Sequence, residues 1–275
     1  MDHIIQALER AKATPGSAPV VPLPLPPPQL REQAHRGAPP PPRANVQISD
    51  AEVSVRHLEG LRIVAHDPAH PTSKSFDILR TQLLQTMGTN GWRLLAVTSP
   101  TPGCGKTFTA LNLALSIARQ PDSSVLLVDG DLHKPQISHR LGFSRDTGLR
   151  ALLEGKASLQ EAITHVAVGG FHLGVLSCER PTSRASDWAG SPQMEQVLRS
   201  VRADRDFKVV ILDLPPLLAG DETISILPHV DCVLMIAAAG STKTSDLKDC
   251  AQYVKTTPVV RVVFNRAPGA SLEYY

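Results

Sequence analysis

The fold is decided by residues 93–119, which read RLLAVTSPTPGCGKTFTALNLALSIAR. An apolar strand, Arg93 to Thr98, leads into a loop rich in glycine and proline, and a helical stretch, Lys106 to Arg119, follows. In such a loop successive backbone N–H groups can point at phosphate oxygens, and the start of the helix adds its positive end. This order of elements predicts a phosphate-binding loop.

Seven consecutive positions of this loop are expected to surround a bound nucleotide. Lys106 would reach the β- and γ-phosphates, and the hydroxyl of Thr107 would bind Mg²⁺. Pro100 stands where the usual pattern has its first glycine, but the flanking strand and helix still support the loop. The sequence therefore predicts ATP and Mg²⁺ as cofactors. The predicted nucleotide-contacting positions are Pro102, Gly103, Cys104, Gly105, Lys106, Thr107 and Phe108.

Two further apolar runs end in carboxylates. Val125 to Asp129 is followed closely by Asp131, and Lys208 to Asp213 ends in an aspartate as well. Because ligands bind beyond the carboxyl ends of parallel strands, we expect these side chains beside the phosphate loop, either in the Mg²⁺ shell or as proton acceptors. The alternative is that each aspartate caps the helix after it. Asp131 is preferred over Asp129 for chemistry, because Asp129 is closer to the strand, but the sequence does not decide which of them accepts the proton.

Strand and helix patterns alternate through the rest of residues 49–268. Continuous apolar strands between helices indicate a parallel sheet covered on both faces. We therefore predict an α/β fold of the P-loop NTPase type, with a mostly parallel sheet. The other predicted elements are helices at Gln193–Val201 and Ser245–Lys255, and strands at Asp231–Ala237 and Val259–Asn265.

Both ends of the chain differ in composition from this domain. Residues 1–14 are predicted to form a short amphipathic helix, either a docking peptide or a frayed terminus. Residues 15–48 are rich in proline and are expected to be a disordered linker, or alternatively a proline-motif ligand. Residues 269–275 are expected to be a flexible tail. Its last residues, Tyr274 and Tyr275, are either phosphoacceptors or a chance pair.

Bulk properties exclude several classes of protein. The net charge is only +2, so no nucleic-acid partner is expected. The four cysteines are scattered, which argues against a zinc site or a disulfide framework and suits a reducing compartment. No apolar segment approaches the roughly 18–20 residues that cross a bilayer, and no secretion signal is recognisable. The expected location is the cytoplasm.

Six motifs, taken together, resemble one family, the bacterial tyrosine kinases (BY-kinases) of capsular and exopolysaccharide systems. The resemblance covers roughly residues 62–268, and each motif alone is shared with other P-loop ATPases. The motifs are His66-Asp67-Pro68, Leu79-Arg80-Thr81, the loop Ser99 to Thr107, Leu127 to Leu132, Leu212 to Pro216, and Val263 to Arg266.

The resemblance implies a fold related to the partitioning and division ATPases. It also implies phosphoryl transfer from ATP, with Mg²⁺, to tyrosines in the tail of a neighbouring subunit. The implied partner is a membrane protein that regulates polysaccharide chain length and recruits the kinase to the inner face of the membrane. By matching position, Lys106 and Thr107 are the loop pair, Asp129 and Asp131 the second nucleotide-site motif, and Asp213 the metal-shell aspartate. Asn265 lies where relatives contact adenine.

This chain departs from the family pattern at three places. His133 stands where the family usually has arginine after its second aspartate motif. The assembly helix, usually Glu-x-x-Arg-x-x-Arg, has Lys74, Asp77 and Arg80 instead, so two charges are reversed and the family's ring-shaped homo-oligomer is in doubt. The tail has two tyrosines where relatives often have many.

Three functions follow from these observations. The first is a tyrosine autokinase that regulates polymerisation and export of an exopolysaccharide. The second is a catalytically degenerate nucleotide-binding regulator of the same machinery, which the three departures favour. The third is a partitioning or positioning ATPase, which is disfavoured because those proteins usually have an early lysine in the loop where this chain has Thr101.

Overall fold

The structure is a computed structural model that describes residues 49–267. The predicted N-terminal helix (1–14), linker (15–48) and tail (269–275) lie outside the described residues. The strands are β1 (Ser49–Glu52), β2 (Leu94–Thr98), β3 (Val125–Asp129), β4 (Thr164–Val168), β5 (Phe171–Leu176), β6 (Val209–Asp213), β7 (Cys232–Ala238) and β8 (Val259–Asn265).

Helices connect most of these strands. A 3₁₀ turn, Leu227–His229, leads into β7. The α-helices are α1 (Val55–Gly60), α2 (Ser73–Asn90), α3 (Lys106–Ala118), α4 (Ile137–Leu141), α5 (Leu149–Leu153), α6 (Leu159–Ala162), α7 (Ala185–Ala189), α8 (Pro192–Ala203), α9 (Glu222–Ile226) and α10 (Thr244–Ala251).

The eight strands form one sheet in the order β1-β4-β5-β3-β6-β2-β7-β8. All neighbouring strands are parallel except β4 and β5, which are antiparallel. Strands β2, β3, β6 and β7 are buried along their whole length, as expected for strands that helices cover on both sides. The predicted α/β fold with a mostly parallel sheet is confirmed.

Side chains of the central strands alternate between two hydrophobic cores. Leu94 and Ala96 of β2 face one core, whereas Leu95 and Val97 face the other. Helices α1 to α4 pack on the Leu95 side, and α5 to α10 pack on the Leu94 side. The carboxyl ends of β2, β3 and β6 therefore meet at one edge, between the two layers of helices.

Helix α3 lies between α2 and the sheet and is buried from Thr109 to Ala118. Its position is fixed by Asn112, which is fully buried. The Oδ1 atom of Asn112 accepts hydrogen bonds from the backbone N–H groups of Val64 (2.9 Å) and Ala65 (3.0 Å). A buried amide with several partners holds a segment in one arrangement, so the middle of α3 is fixed against residues 64–65.

The structure differs from the sequence analysis at two places. First, the antiparallel hairpin β4–β5 was not predicted. It turns at Gly169 and Gly170, whose positive φ angles of 53° and 96° suit a tight two-residue turn. Second, the helix predicted over Ser245–Lys255 spans Thr244–Ala251, because the chain then tightens into a turn in which the backbone N–H of Tyr253 donates to the carbonyl of Cys250.

Candidate functional site

The phosphate loop, residues 99–105, joins the end of β2 to the start of α3. It turns at Gly103 and Gly105, whose φ angles of 81° and 93° lie in the left-handed region that favours glycine. The backbone N–H of Leu218 donates to the carbonyl of Pro100 at 3.1 Å. Proline therefore fits at this position, since the hydrogen bond uses only its carbonyl oxygen.

Helix α3 presents its free amides to this loop. The helix begins at Lys106, and its N-cap, Gly105, offers no side chain to the first-turn N–H groups, which are left for a ligand. Pro102 and Gly103 are exposed at the rim of the loop, whereas Cys104 is buried. The ring of Phe108 packs edge-on against Phe76, with the ring centroids 5.9 Å apart. One edge of the partly buried Phe108 ring is therefore occupied by this contact.

Asn265, at the end of β8, braces the phosphate loop. Its Nδ2 donates to the carbonyl of Cys104 at 2.9 Å, and its Oδ1 accepts from the backbone N–H of Arg266 at 2.9 Å. A Cβ atom added to Gly105 would lie 2.1 Å from Asn265 Nδ2. The structure thus places Asn265 against the loop, and its contact with adenine stays a prediction.

Replacing Gly105 by alanine is expected to weaken nucleotide binding by about tenfold or more, because the new methyl group collides with Asn265 and the backbone is strained at its positive φ. Gly91→Ala is the matched control. Gly91 also has a positive φ, 66°, but a Cβ there meets nothing within 4 Å. Titration with a fluorescent ATP analogue measures the nucleotide affinity of both variants. Equal losses of affinity would show that the close approach of Asn265 to position 105 does not matter for binding.

The predicted carboxylates meet beside the loop. Asp129 and Asp213 are directly paired residues on the neighbouring strands β3 and β6, and β6 also borders β2. Lys106 Nζ lies 3.0 Å from Asp131 Oδ2, and both side chains are largely buried. The hydroxyl of Thr107 donates to Asp213. The structure therefore brings together Lys106, Thr107, Asp129, Asp131 and Asp213.

Two oxygen atoms in this cluster fit a divalent cation. Asp129 Oδ1 and Asp213 Oδ1 are buried and have no hydrogen-bond partner among the described residues. Within residues 49–267, no group of three His, Cys, Asp or Glu side chains is arranged to hold a metal ion by itself. A magnesium ion here would therefore depend on phosphate oxygens and Thr107, as Mg²⁺ in nucleotide sites usually does.

The charges of the cluster influence one another strongly. Burial, reinforced by the charge of Asp213, raises the pKa of Asp129 to about 8. Burial also raises the pKa of Asp213 to about 6, although the nearby ammonium of Lys106 acts in the opposite direction. Burial alone would lower the pKa of Lys106, but Asp213 and Asp131 outweigh it and raise that pKa. Lys106 is therefore the counter-charge of three buried carboxyl groups.

These shifts predict how stability depends on pH without Mg²⁺. The pKa of Asp129 is higher in the folded than in the unfolded chain, so the folded state binds the proton more tightly. The free energy of unfolding should therefore fall as the pH rises from about 4 to about 8, by at most about 1.4 kcal/mol per pH unit for each proton. Asp129→Asn should flatten this dependence in denaturation experiments with EDTA, and an equally steep profile would contradict the assignment.

The two aspartates of β3 have different neighbours. Asp129 Oδ2 accepts the backbone N–H groups of Gln136 and Ile137, both at 2.9 Å. Asp131 Oδ1 accepts the backbone N–H of Lys134 at 3.0 Å, while its other oxygen holds Lys106. Asp129 thus fixes the chain that follows the strand, and Asp131 remains at the surface of the cluster.

Sequence reasoning missed Glu222, which lies at the same edge of the sheet. Its carboxylate is buried, lies 2.9 Å from His133 Nε2 and accepts a hydrogen bond from Ser186 Oγ at 3.1 Å. His133, which replaces the family's arginine, therefore still has a carboxylate partner. An acid at the start of the helix after Asp213 was the available signal, but its partners are distant in sequence.

The helix with reversed charges is α2. Its Asp77 accepts from Arg119 Nη2 (2.5 Å), Arg80 Nη1 (2.9 Å) and Ser116 Oγ (2.6 Å), so it is tied to α3 within the same chain. Lys74 is exposed. Asp77 and Arg80 are thus occupied by internal contacts, whereas the ring-shaped oligomer stays untested.

Residues 49–267 contain no helix that is both long and apolar enough to cross a membrane. The predicted phosphoacceptors, Tyr274 and Tyr275, lie outside the described residues.

The family model described as "ParA: NUBPL iron-transfer P-loop NTPase" matches residues 92–265. The fold is also shared with the septum site-determining protein MinD of Pyrococcus horikoshii, solved with Mg-ADP. That similarity has a TM-score of 0.54 and 21% identity, and it covers 64% of this chain and 71% of that one. At this identity it shows the fold alone.

Several relatives are more similar in sequence. A protein of Ralstonia nicotianae that is named "Putative tyrosine-protein kinase EpsB" is 31% identical over 236 residues. The match covers 85% of this chain and 31% of that protein. The kinase domain of the Escherichia coli tyrosine kinase ETK is 28% identical with a TM-score of 0.67, covering 78% of this chain and 84% of that one. The VpsO kinase domain is 28% identical with a TM-score of 0.64, covering 76% of this chain and 98% of that one.

The chain spans only 31% of the length of EpsB and 24% of the length of the Escherichia coli tyrosine-protein kinase etk. The family match covers more than half of this chain, and it includes the phosphate loop, the three aspartates and Asn265. The chain therefore belongs to the ParA family of P-loop NTPases, in which its relatives are bacterial tyrosine-kinase domains.

Proposed function

We propose that this chain is the kinase domain of an exopolysaccharide-associated tyrosine kinase, which transfers the γ-phosphoryl group of ATP to tyrosine. The observation that carries the proposal is Lys106, held among buried carboxylates beside a phosphate loop, in a chain 28% identical to a tyrosine-kinase domain. We place it in the cytoplasm, recruited to the inner face of the membrane by a protein that regulates polysaccharide chain length, in a machinery that polymerises and exports the polysaccharide.

The site supports phosphoryl transfer mainly by position and charge. The amides of the phosphate loop and the first turn of α3 would bind the phosphate oxygens, and Lys106 would hold the β- and γ-phosphates. Thr107, Asp129 and Asp213 would hold Mg²⁺, which when bound neutralises phosphate charge. Because the cluster is buried, these interactions act in surroundings with little water, where they are stronger.

The tyrosine hydroxyl must lose its proton to an acceptor on the protein. Asp129 is nearly inaccessible and uses one oxygen to hold the backbone of Gln136 and Ile137. Asp131 is 8% exposed, and its Oδ2 is released when Lys106 turns from it towards the phosphates. Asp131 is therefore the proposed proton acceptor.

Transfer of phosphate to tyrosine is tested by mass spectrometry of the purified chain after incubation with ATP·Mg²⁺. We expect phosphorylated peptides that contain Tyr274 or Tyr275. These signals should disappear in the double variant Tyr274→Phe, Tyr275→Phe, while Tyr253→Phe serves as a matched control within the domain. Phosphate that persists in the double variant would contradict the assignment of the acceptors.

The second candidate function is a nucleotide-binding regulator without kinase activity. The reversed charges at Lys74 and Asp77 favour it, and the ion pairs of Asp77 with Arg80 and Arg119 occupy these side chains within the same chain. This function predicts ATP binding without any phosphate on the chain, even when the cytoplasmic segment of the membrane partner is added.

A further inference from the structure

Arg140 is a cation beside the candidate site that the roles assigned above leave out. It lies on α4, whose start is fixed to the site because Gln136 N and Ile137 N both donate to Asp129 Oδ2. The guanidinium of Arg140 folds back towards this start of the helix, where its Nε (3.0 Å) and Nη2 (2.8 Å) both donate to Gln136 Oε1. The guanidinium therefore lies over the first turn of α4, whose backbone is held by Asp129.

The charge of Arg140 reaches that cluster. Burial raises the pKa of Asp213, and Lys106 and Arg140 are among the charges that act against this rise. Asp213 is the carboxylate that accepts from Thr107, beside the expected position of the phosphates. The guanidinium therefore adds a positive charge at this edge of the site, on the segment that Asp129 holds.

The partner of Arg140 is a weak one for a guanidinium. Among residues 49–267, no carboxylate lies within ion-pair distance of Arg140, and both of its hydrogen bonds go to the neutral amide oxygen of the exposed Gln136. Arg119 and Arg150, by contrast, each contact a carboxylate. Nε and Nη2 form the planar fork that matches two oxygens of a phosphate. A bound phosphoryl group would therefore compete well with Gln136.

We propose that Arg140 leaves Gln136 and binds the γ-phosphate when ATP occupies the site, so that this residue distinguishes ATP from ADP. The inference rests on the proposed function in one respect, namely that the bound nucleotide is ATP. Gln136 then serves as the resting place of the guanidinium in the absence of the γ-phosphate.

The test compares the affinities of ADP·Mg²⁺ and a non-hydrolysable ATP analogue with Mg²⁺, measured by isothermal titration calorimetry. Arg140→Gln is expected to weaken binding of the analogue by about tenfold, while binding of ADP changes by less than about twofold. The affinity of Arg140→Lys for the analogue should lie between those of the wild type and Arg140→Gln, because lysine keeps the charge but lacks the planar fork. The matched control is Arg145→Gln, since Arg145 donates to Thr164 Oγ1 and the carbonyl of Glu161 instead.

Gln136→Ala separates this role from a merely structural one. If Arg140 only braces α4 through Gln136, both variants should weaken binding alike. If Gln136 is a resting place, Gln136→Ala should keep or increase the affinity for the analogue. Equal losses for ADP and the analogue, or unchanged affinity of Arg140→Gln for the analogue, would overturn the proposal.

Two further outcomes are informative. An arginine that binds phosphotyrosine instead would leave the affinity for the analogue intact and weaken binding of free phosphotyrosine, and this result also overturns the proposal. A wild-type chain that binds neither nucleotide would remove the proposed function and the inference together. Nucleotide binding with no effect of Arg140→Gln removes the inference alone.

Discussion

Replacing Lys106 by methionine is expected to lower the rate of ATP-dependent phosphorylation by at least about 100-fold. The ammonium of Lys106 lies at the centre of the carboxylate cluster and is the cation best placed for the β- and γ-phosphates. Methionine has a similar length but no charge. The variant therefore loses stabilisation of the charge on the transferred phosphoryl group while the shape of the loop is kept.

The measurement is the initial rate of phosphate transfer from labelled ATP to the chain. Lys134→Met is the matched control, because Lys134 is exposed and contacts Asp131 only through its backbone. The Lys106 variant also leaves Asp129, Asp131 and Asp213 without their counter-charge, so its folding must be checked by circular dichroism with and without Mg²⁺. A well-folded Lys106→Met chain with an unchanged rate would rule out the proposed site.

Replacing Asp77 by alanine should lower the free energy of unfolding by about 3 kcal/mol. Among residues 49–267, Asp77 is the only carboxylate in ion-pair contact with Arg80 and Arg119, and the side chains of all three are mostly buried. Its removal leaves two guanidinium groups facing each other, and breaking a buried ion pair typically costs about 3–5 kcal/mol. We expect the lower end of this range because the Asp77 side chain is 27% exposed.

Chemical denaturation measures this loss, and Lys74→Ala on the exposed face of α2 is the matched control. The double variant Asp77→Ala, Arg119→Ala should be more stable than the sum of the two single losses predicts, since the unpaired cation is removed as well. A loss of less than about 1 kcal/mol for Asp77→Ala would mean that the network contributes little. In that case the residue would be free for contacts with a second subunit.

The sequence was sufficient to predict the local parts of the site. The loop from Pro102 to Phe108 and the carboxylates at the ends of β3 and β6 were identified from apolar runs and glycine positions alone. Strand order could not be read in the same way. Nothing in the sequence indicates that β6 lies between β2 and β3, because that arrangement depends on contacts between distant segments.

The residues that were missed have partners far away in the chain. Asp77 was interpreted as a departure from an assembly motif, and its actual partner, Arg119, is 42 positions further on. Glu222 gains its role from His133, in the loop after β3, and from Ser186, in helix α7. The hairpin β4–β5 is a different case, because the dipeptide Gly169-Gly170 between two short apolar runs was a usable local signal.

The strand order has a consequence for synthesis of the protein. Strands β2 and β3 are made before β6, which must then fill the gap between them, and neighbouring strands lie about 4.8 Å apart. A growing chain that already contains Lys106, at the start of the helix after β2, and Asp129, at the end of β3, therefore has these residues on segments that the sheet has not yet joined. Until Asp213 has left the ribosome, ATP has no complete site to bind and cannot stabilise the nascent domain.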